Sequence, residues 1–248
     1  MSLRTIWLTG PSDALLRHDD LPLPLELRPM RGARRFRLRL DEVRGVLKLT
    51  GPLRMNRKAA LDWAADQREW VEAQLAAMLP AEPFEPGATI PLAGEEVTLV
   101  WDERAPRTPT LSDGQLICGG PREAFRRRIE SFLKRSALDL LSRESAEIAQ
   151  LAGVTVKSVA VGDAGTRWGS CSASGQIRYS WRLVLAPPNA RRYVVAHEVA
   201  HLVHLNHGPR FKALEAKLFG GDVAEARLLL RRAGPRLRRL GRGNDLRP

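Results

Sequence analysis

The sequence has few of the features that mark secreted or membrane proteins. It contains two cysteines, Cys118 and Cys171, among 248 residues. Two are too few for a disulfide framework, which fits a reducing compartment. No apolar run approaches the roughly 18 residues of a membrane-spanning helix, and residues 1–20 contain no apolar core of signal-peptide length. We therefore expect a cytoplasmic protein without a membrane partner.

Lysine is scarce as well, although the chain is strongly basic. Only six lysines occur, and the formal net charge of +12 comes from an excess of arginine. A basic surface gains affinity for nucleic acid by releasing counterions from the phosphates. A GC-rich coding sequence produces the same bias towards arginine, alanine, leucine and proline without selection for binding. The composition therefore keeps nucleic acid as a candidate partner and does not require it.

Apolar periodicity predicts an α+β fold whose front part is rich in β-strands. We expect a proline-rich N-terminal extension over residues 1–30 and a β-rich subdomain with one helix over residues 31–118. Residues 119–248 should form a second subdomain, with a helix, a hairpin and a helix followed by a basic C-terminal tail.

The predicted elements can be placed along the chain. Strands are expected within 36–49 on either side of Gly45, in a hairpin around Gly94, at 112–118, near 154–164, and in a hairpin whose turn is 172–175. Helices are expected over 56–80 with Asn56 as N-cap, over 121–153, from about 189 to 206, and after Gly221.

Four of the five histidines lie within eleven positions, in the segment YVVAHEVAHLVHLNHGPR. His197, Glu198 and His201 form the pattern H-E-x-x-H. On an α-helix, His197 and His201 would lie one turn apart on one face, about 6 Å along the axis, where two imidazoles can share a tetrahedral metal ion. Glu198 is rotated by about 100° from His197, so its carboxylate would lean over water at the metal as a general base. The pattern predicts a catalytic zinc site.

A catalytic zinc ion needs a third protein ligand and an open position for water. His207 is the favoured candidate, because the Gly-Pro break after it lets the chain leave the helix and bring the imidazole back to the metal. His204 lies on the same helical face but about 7 Å beyond the metal along the axis. The remaining candidates are Glu215 or Glu225 from a following helix and Cys171 from an upstream loop.

The spacing of the three histidines equals that of the metzincins, but two features exclude that group. Metzincins place a glycine where His204 stands. They also need a methionine turn downstream of the motif, whereas all four methionines precede it, at Met1, Met30, Met55 and Met78.

Two segments, RWGSCSASGQIRYSWRLVLAPP and YVVAHEVAHLVHLNHGPRF, resemble the YgjP-like metallopeptidase family. The matching residues are the run 167–172, the Trp181-Arg182-Leu183 strand, Ala186-Pro187 and the Asn206-His207 pair. Weaker similarity extends over about residues 31–219. One departure is Lys212, which follows Phe211 where the family usually has tryptophan.

The resemblance implies a zincin-like metallopeptidase core in the C-terminal subdomain, related to the SprT-type proteases, which act on DNA-bound proteins. It implies one zinc ion per chain on His197, His201 and His207, with Glu198 as the general base. We therefore expect a zinc-dependent hydrolase, in the first place a metallopeptidase that acts on a peptide or protein. Two other hypotheses stay open: a metal-dependent phosphohydrolase that acts on a nucleotide, and a nucleic-acid-associated zinc protein with little or no hydrolase activity.

The predicted hairpin before the active-site helix has a role of its own in zincin architecture, where its free edge can pair with an extended peptide. In this hypothesis Arg167, Ser170 or Cys171 faces the metal. The alternative is that Trp168 and Trp181 pack in the core, Gly169 makes room, and Cys171 is a small buried apolar residue. The sequence does not identify the hydrogen-bond partner of any ligand histidine.

Overall fold

The computed structural model describes residues 15–42, 44–163, 165 and 167–243. The described residues form two compact units, one up to Pro80 together with Gly243, and the other Ala81–Arg242. The predicted α+β class with a β-rich N-terminal part is confirmed. Residues 1–14 of the predicted extension and residues 244–248 of the predicted tail lie outside the described residues.

The first unit is built on a four-stranded sheet. Its strands are β1 (Leu15–Leu16), β2 (Leu25–Pro29), β3 (Arg37–Asp41) and β4 (Val46–Gly51), in the order β1-β2-β4-β3. The predicted hairpin is confirmed, since β3 and β4 pair antiparallel and Gly45 has a φ of 63°. Leu25, Leu47 and Leu49 are fully buried, in one apolar cluster with the helices that follow.

The helix predicted over residues 56–80 is interrupted. Helix α1 (Arg57–Ala65) and helix α2 (Arg68–Ala77) replace it. Asn56 is the N-cap, as predicted, and its Oδ1 accepts hydrogen bonds from the N–H groups of Lys58 and Ala59 at 2.9 and 3.2 Å. Gln67 breaks the helix, because its φ and ψ of −90° and 12° leave the α region and its N–H donates to the carbonyl three residues back.

A second four-stranded sheet begins the second unit. Its strands are β5 (Thr89–Leu92), β6 (Glu95–Trp101), β7 (Thr110–Ser112) and β8 (Gln115–Cys118), in the order β5-β6-β8-β7. The predicted hairpin around Gly94 is confirmed. The single strand predicted at residues 112–118 is a second hairpin instead, since Asp113 and Gly114 have φ values of 50° and 72°, which suit a tight turn.

A long helix, α3 (Phe125–Ala152), follows a 3₁₀ turn at Arg122–Ala124. Ile129, Leu133 and Leu141 form part of its buried stripe and are fully inaccessible to solvent. Gly153 ends the helix, as predicted, with a φ of 66° and an N–H group that donates to the carbonyl of Gln150.

The third sheet holds the predicted hairpin. Its strands are β9 (Ser158–Gly162), β10 (Gly169–Cys171) and β11 (Gln176–Ser180), in the order β10-β11-β9, so β10 is an edge strand. β10 and β11 pair antiparallel, and the N–H of Gly175 donates to the carbonyl of Ser172 across the turn at 3.0 Å, as predicted.

The strand predicted at Trp181-Arg182-Leu183 is wrong, because Trp181–Leu185 is a 3₁₀ helix. All five residues are buried, and the turn satisfies backbone groups locally without a neighbouring strand. The buried guanidinium of Arg182 donates to Asp163 at 2.9 Å and to the carbonyls of Leu237 and Leu240 at 2.8 and 2.5 Å. These bonds join the turn to the C-terminal end of the unit.

Three helices complete the second unit: α4 (Pro188–Ala200), α5 (Pro209–Phe219) and α6 (Val223–Arg239). The prediction that the first of them runs to residue 206 is wrong. The N–H groups of Leu202 and Val203 donate to carbonyls three residues back, which tightens and closes the last turn. The apolar residues that suggested a longer helix are not buried, since Val203 and Leu205 are 44% and 70% exposed.

Helix α4 is held against α3 by an ion pair. Nε of Arg191 donates to the carboxylate of Glu144 at 2.9 Å, and both side chains are largely buried.

None of the described helices is long and apolar enough to cross a membrane.

Candidate metal centre

Three imidazoles converge at the end of α4. His197 lies in its last turn, His201 is its C-cap residue, and His207 lies in the loop before α5. One ring nitrogen from each histidine lies within 4.8 Å of the other two. The structure therefore brings together the three histidines that the sequence proposes as ligands.

The distances in this cluster fit a tetrahedral metal ion. Bonds of about 2.0–2.1 Å in tetrahedral geometry place two ligand nitrogens about 3.3–3.4 Å apart, and the Nε2 atoms of His197 and His207 are 3.3 Å apart. The ring of His201 is nearly perpendicular to the other two rings, at 86° and 90°. The donor set and its spacing fit zinc, which takes histidine nitrogens in this geometry.

A buried glutamate orients His197. Oε1 of Glu215 lies 2.7 Å from Nδ1 of His197. An ionised carboxylate only accepts, so Nδ1 carries the hydrogen and Nε2 keeps the lone pair that binds a metal. The hydroxyl of Tyr193 donates to the same oxygen at 3.0 Å, and Nη2 of Arg227 donates to Oε2 at 3.0 Å. Because Glu215 lies on α5 and is 2% exposed, this network joins α4, α5 and α6 behind the metal site.

The surroundings of Glu215 favour its ionised form. Burial by itself would raise the pKa of this carboxyl group. The hydrogen bonds from His197 and Tyr193 and the positive charge of Arg227 outweigh burial and hold the pKa below its usual range. Glu215 therefore keeps a negative charge beside the imidazole at neutral pH.

We expect Glu215→Gln to weaken zinc binding by about 10–100-fold, which is the usual cost of losing a partner of a ligand histidine. Glutamine keeps the size and one acceptor oxygen, but the charge that faces His197 and Arg227 is lost. Competition with a fluorescent chelator measures the zinc affinity. Glu225→Gln, an exposed position on α6, is the matched control, and equal affinities of the two variants would contradict the role of Glu215.

The backbone orients His201. Its Nδ1 lies 3.2 Å from the carbonyl oxygen of His204, and a carbonyl only accepts, so Nδ1 carries the hydrogen and Nε2 is left for the metal. Burial lowers the pKa of His201, which favours the neutral imidazole that a metal ligand needs. His204 thus acts on the site through its main chain.

The chain returns His207 to α4 because a new helix begins directly after it. Gly208 is the N-cap of α5 and Pro209 occupies its first turn, where a proline is favoured. Phe211 is fully buried and packs against all three imidazoles, with ring centroids 5.1, 4.6 and 4.7 Å away. It forms an apolar wall behind the cluster, while His207 is exposed on the open side.

Among the described residues, the other candidates for a third ligand lie outside this cluster. Glu215 contacts the ring nitrogen of His197 that faces away from the metal position. Glu225 is exposed on α6. Burial raises the pKa of the Cys171 thiol, and the nearby charge of Glu198 adds to the effect. Its sulfur is not among the ligand atoms that lie within 4.8 Å of one another in this cluster.

Glu198 follows His197 on α4 and is 5% exposed. Its carboxylate packs against the backbone of β10, since a Cβ atom on Gly169 would lie 2.4 Å from Oε1 of Glu198. Only glycine leaves this space, which is the role that the packing alternative gives to Gly169. Burial raises the pKa of Glu198 to about 7, although the charge of Arg167 opposes the shift.

The sequence motif points to the histidines and to Glu198 but not to the residues that orient them. Tyr193 lies four residues before His197 and therefore on the same helical face. This spacing could have identified Tyr193 as a neighbour of His197. Glu215 and Arg227 come from two later helices, and their approach to His197 depends on helix packing that the sequence pattern does not specify.

Comparisons with known proteins place the chain in a family. No curated protein and no solved structure matches it. A family model described as YgjP-like, metallopeptidase domain, matches residues 34–233. The match covers most of the chain and includes β10, β11 and the three clustered histidines, so the resemblance predicted from the two sequence segments is confirmed. The chain therefore belongs to the YgjP-like metallopeptidase family.

Proposed function

We propose that this protein is a zinc-dependent peptidase in which His197, His201 and His207 hold one metal ion and Glu198 is the general base. One observation carries the proposal: three imidazole nitrogens lie within 4.8 Å of one another, and one of these histidines, His197, is followed on α4 by the buried Glu198. Membership of a metallopeptidase family supports peptide-bond hydrolysis as the reaction.

In the proposed reaction the metal site and Glu198 have separate roles. His197, His201 and His207 would hold the zinc ion, which would supply a Lewis acid able to polarise a carbonyl and to lower the pKa of water towards about 7. Glu198 accepts a proton from the attacking water on a carboxylate oxygen and passes it to the leaving nitrogen. Burial brings the pKa of Glu198 to about 7, and a metal cation beside it would lower this value. The carboxylate is then in the ionised form that a base needs near neutral pH.

The edge of β10 supports a peptide as the substrate. Within the described residues, β10 pairs with β11 on one side only, so its outer N–H and C=O groups are available to an extended chain. Gly169 of this strand touches Glu198. A peptide that extends the sheet at β10 would therefore lie next to the general base.

A cleavage screen tests this function. We expect the purified protein to cleave members of a fluorogenic peptide library, to lose this activity when a chelator removes the metal, and to regain it when about one equivalent of zinc is restored. Metal analysis before and after chelation measures the zinc content in the same samples.

Nucleotides are tested for hydrolysis alongside the peptides, and a separate assay measures nucleic-acid binding. These two measurements distinguish the peptidase from the two other hypotheses. Hydrolysis of nucleotides without cleavage of any peptide would favour a phosphohydrolase. Salt-dependent binding of nucleic acid with no hydrolysis of either substrate would favour a nucleic-acid-associated zinc protein. Peptide cleavage that persists after complete metal removal would contradict the proposed mechanism.

A further inference from the structure

A cavity of about 280 Å³ lies beside β10 and is separate from the histidine cluster. It opens on the face of the third sheet that points away from the core. Tyr179 of β11 and Val161 of β9 face the apolar core. Because side chains alternate along a strand, Arg178 and its cross-strand partner Ser170 face the opposite way, and both line the cavity.

The charge of this cavity is positive. Arg167 and Arg178 both line it, and neither forms an ion pair within 4.0 Å among the described residues. The acidic group at the cavity, Asp163, is already engaged by Arg182 at 2.9 Å and by Arg242 at 2.5 Å. Arg178 is therefore left to face the cavity, together with Arg167, whose charge also acts on Glu198.

A buried hydroxyl supports a polar occupant. Ser180 lines the cavity and is 1% exposed, and its Oγ has no hydrogen-bond partner among the described residues. Buried hydroxyl groups are rarely left without a partner. An oxyanion in the cavity would accept a hydrogen bond from this hydroxyl and from the arginines.

We propose that the cavity binds an anionic side chain of the peptide substrate. This inference rests on the proposed function, because a peptide at the edge of β10 brings its side chains to the cavity. Such a peptide would run about 4.8 Å from β10, and every second side chain would point to the face on which Arg178 lies. The volume of about 280 Å³ leaves room for a carboxylate or phosphoryl group on a side chain.

Peptide binding to a Glu198→Gln variant loaded with zinc tests the inference without turnover. A set of labelled peptides carries one glutamate at each position in turn, and a matched set carries glutamine. We expect one position at which glutamate binds about 10-fold more tightly than glutamine in fluorescence anisotropy, since a charge-assisted contact is lost in the amide. A third set with phosphoserine at that position distinguishes a carboxylate preference from a phosphoryl preference, and either preference supports an anionic side chain.

Substitutions of residues that line the cavity test whether the preference for glutamate arises there. Arg178→Gln should reduce the ratio of the two affinities to about 2-fold or less, while Arg178→Lys should retain part of it because the charge remains. Arg135→Gln is the matched control, since Arg135 is exposed on α3 and does not line the cavity. Circular dichroism and thermal unfolding establish that each variant is folded.

The possible failures are distinguishable. Equal binding of the glutamate and glutamine peptides at every position, or a preference that survives Arg178→Gln, would overturn the inference. If the wild type nevertheless cleaves these peptides, the proposed function stands. A preference that depends on Arg178 without cleavage of any peptide would support the cavity and contradict the peptidase. Tighter binding of a single-stranded oligonucleotide that is lost in Arg178→Gln would assign the cavity to nucleic acid instead.

Discussion

Replacing Glu198 with glutamine is expected to reduce peptide hydrolysis by about 100–10,000-fold while the protein still binds about one zinc ion. Positioned general bases contribute about this factor to a rate. Glutamine has nearly the same size as glutamate, so it fits the space beside Gly169, but it cannot take up a proton from water. The three histidines are unchanged, and the metal content should therefore stay at the wild-type level. Initial rates on a responsive peptide and metal analysis of the same sample measure both quantities.

The control for this variant is Glu147→Gln, which makes the same change at an exposed position on α3. It should keep wild-type activity. If Glu198→Gln retains a tenth or more of the wild-type rate with full zinc occupancy, Glu198 is not the general base. If the variant loses its zinc as well as its activity, the loss of activity says nothing about proton transfer, and Glu198 acts on the metal site.

The second large effect is expected from His207→Ala, which should lower zinc affinity by more than about 100-fold. Loss of a hydrogen-bond partner of a ligand costs about 10–100-fold, and loss of a ligand nitrogen should cost more. His204→Ala is the matched control, because its backbone carbonyl, which accepts from His201, remains in place. Titration against a chelator of known affinity compares the two variants with the wild type.

The comparison of His207→Ala with His204→Ala shows whether His207 is the third ligand. Wild-type zinc affinity in His207→Ala would assign the third position to another residue. Cys171→Ala then tests the remaining sulfur candidate near Glu198. Equal losses in the His204 and His207 variants would indicate that the loop between α4 and α5 is disturbed as a whole, which would contradict the separate roles given to the two residues.

Much of the fold is predictable because its signals are local. The hairpins at Gly45 and Gly94 and the turn at residues 172–175 follow from strand alternation and from residues that tolerate a turn conformation. The end of α4 could not be predicted in the same way. Its apolar pattern continues through Val203 and Leu205, and only the three-dimensional structure shows that these two side chains are exposed and lie outside the core.

In the candidate site too, the contacts within one helix could be predicted from the sequence, whereas the contacts between elements could not. His197 and His201 are close in space because they are one turn apart on a helix, and Glu198 lies beside them for the same reason. The approach of His207 depends on where α4 stops and α5 starts. The contact of Glu215 with His197 depends on how the two helices pack. Such contacts between separate elements leave no periodic signal in the sequence.

The turn that joins β10 to β11 determines which residue meets Glu198, the proposed general base. Neighbouring residues on a strand point to opposite faces, so a shift of β10 by one position would exchange the two faces. Trp168 or Ser170 would then take the place of Gly169 against Glu198, and either side chain would occupy the room that the carboxylate needs. The insertion or deletion of one residue in this surface turn would therefore act as a substitution inside the proposed catalytic centre, although no residue of the turn belongs to it.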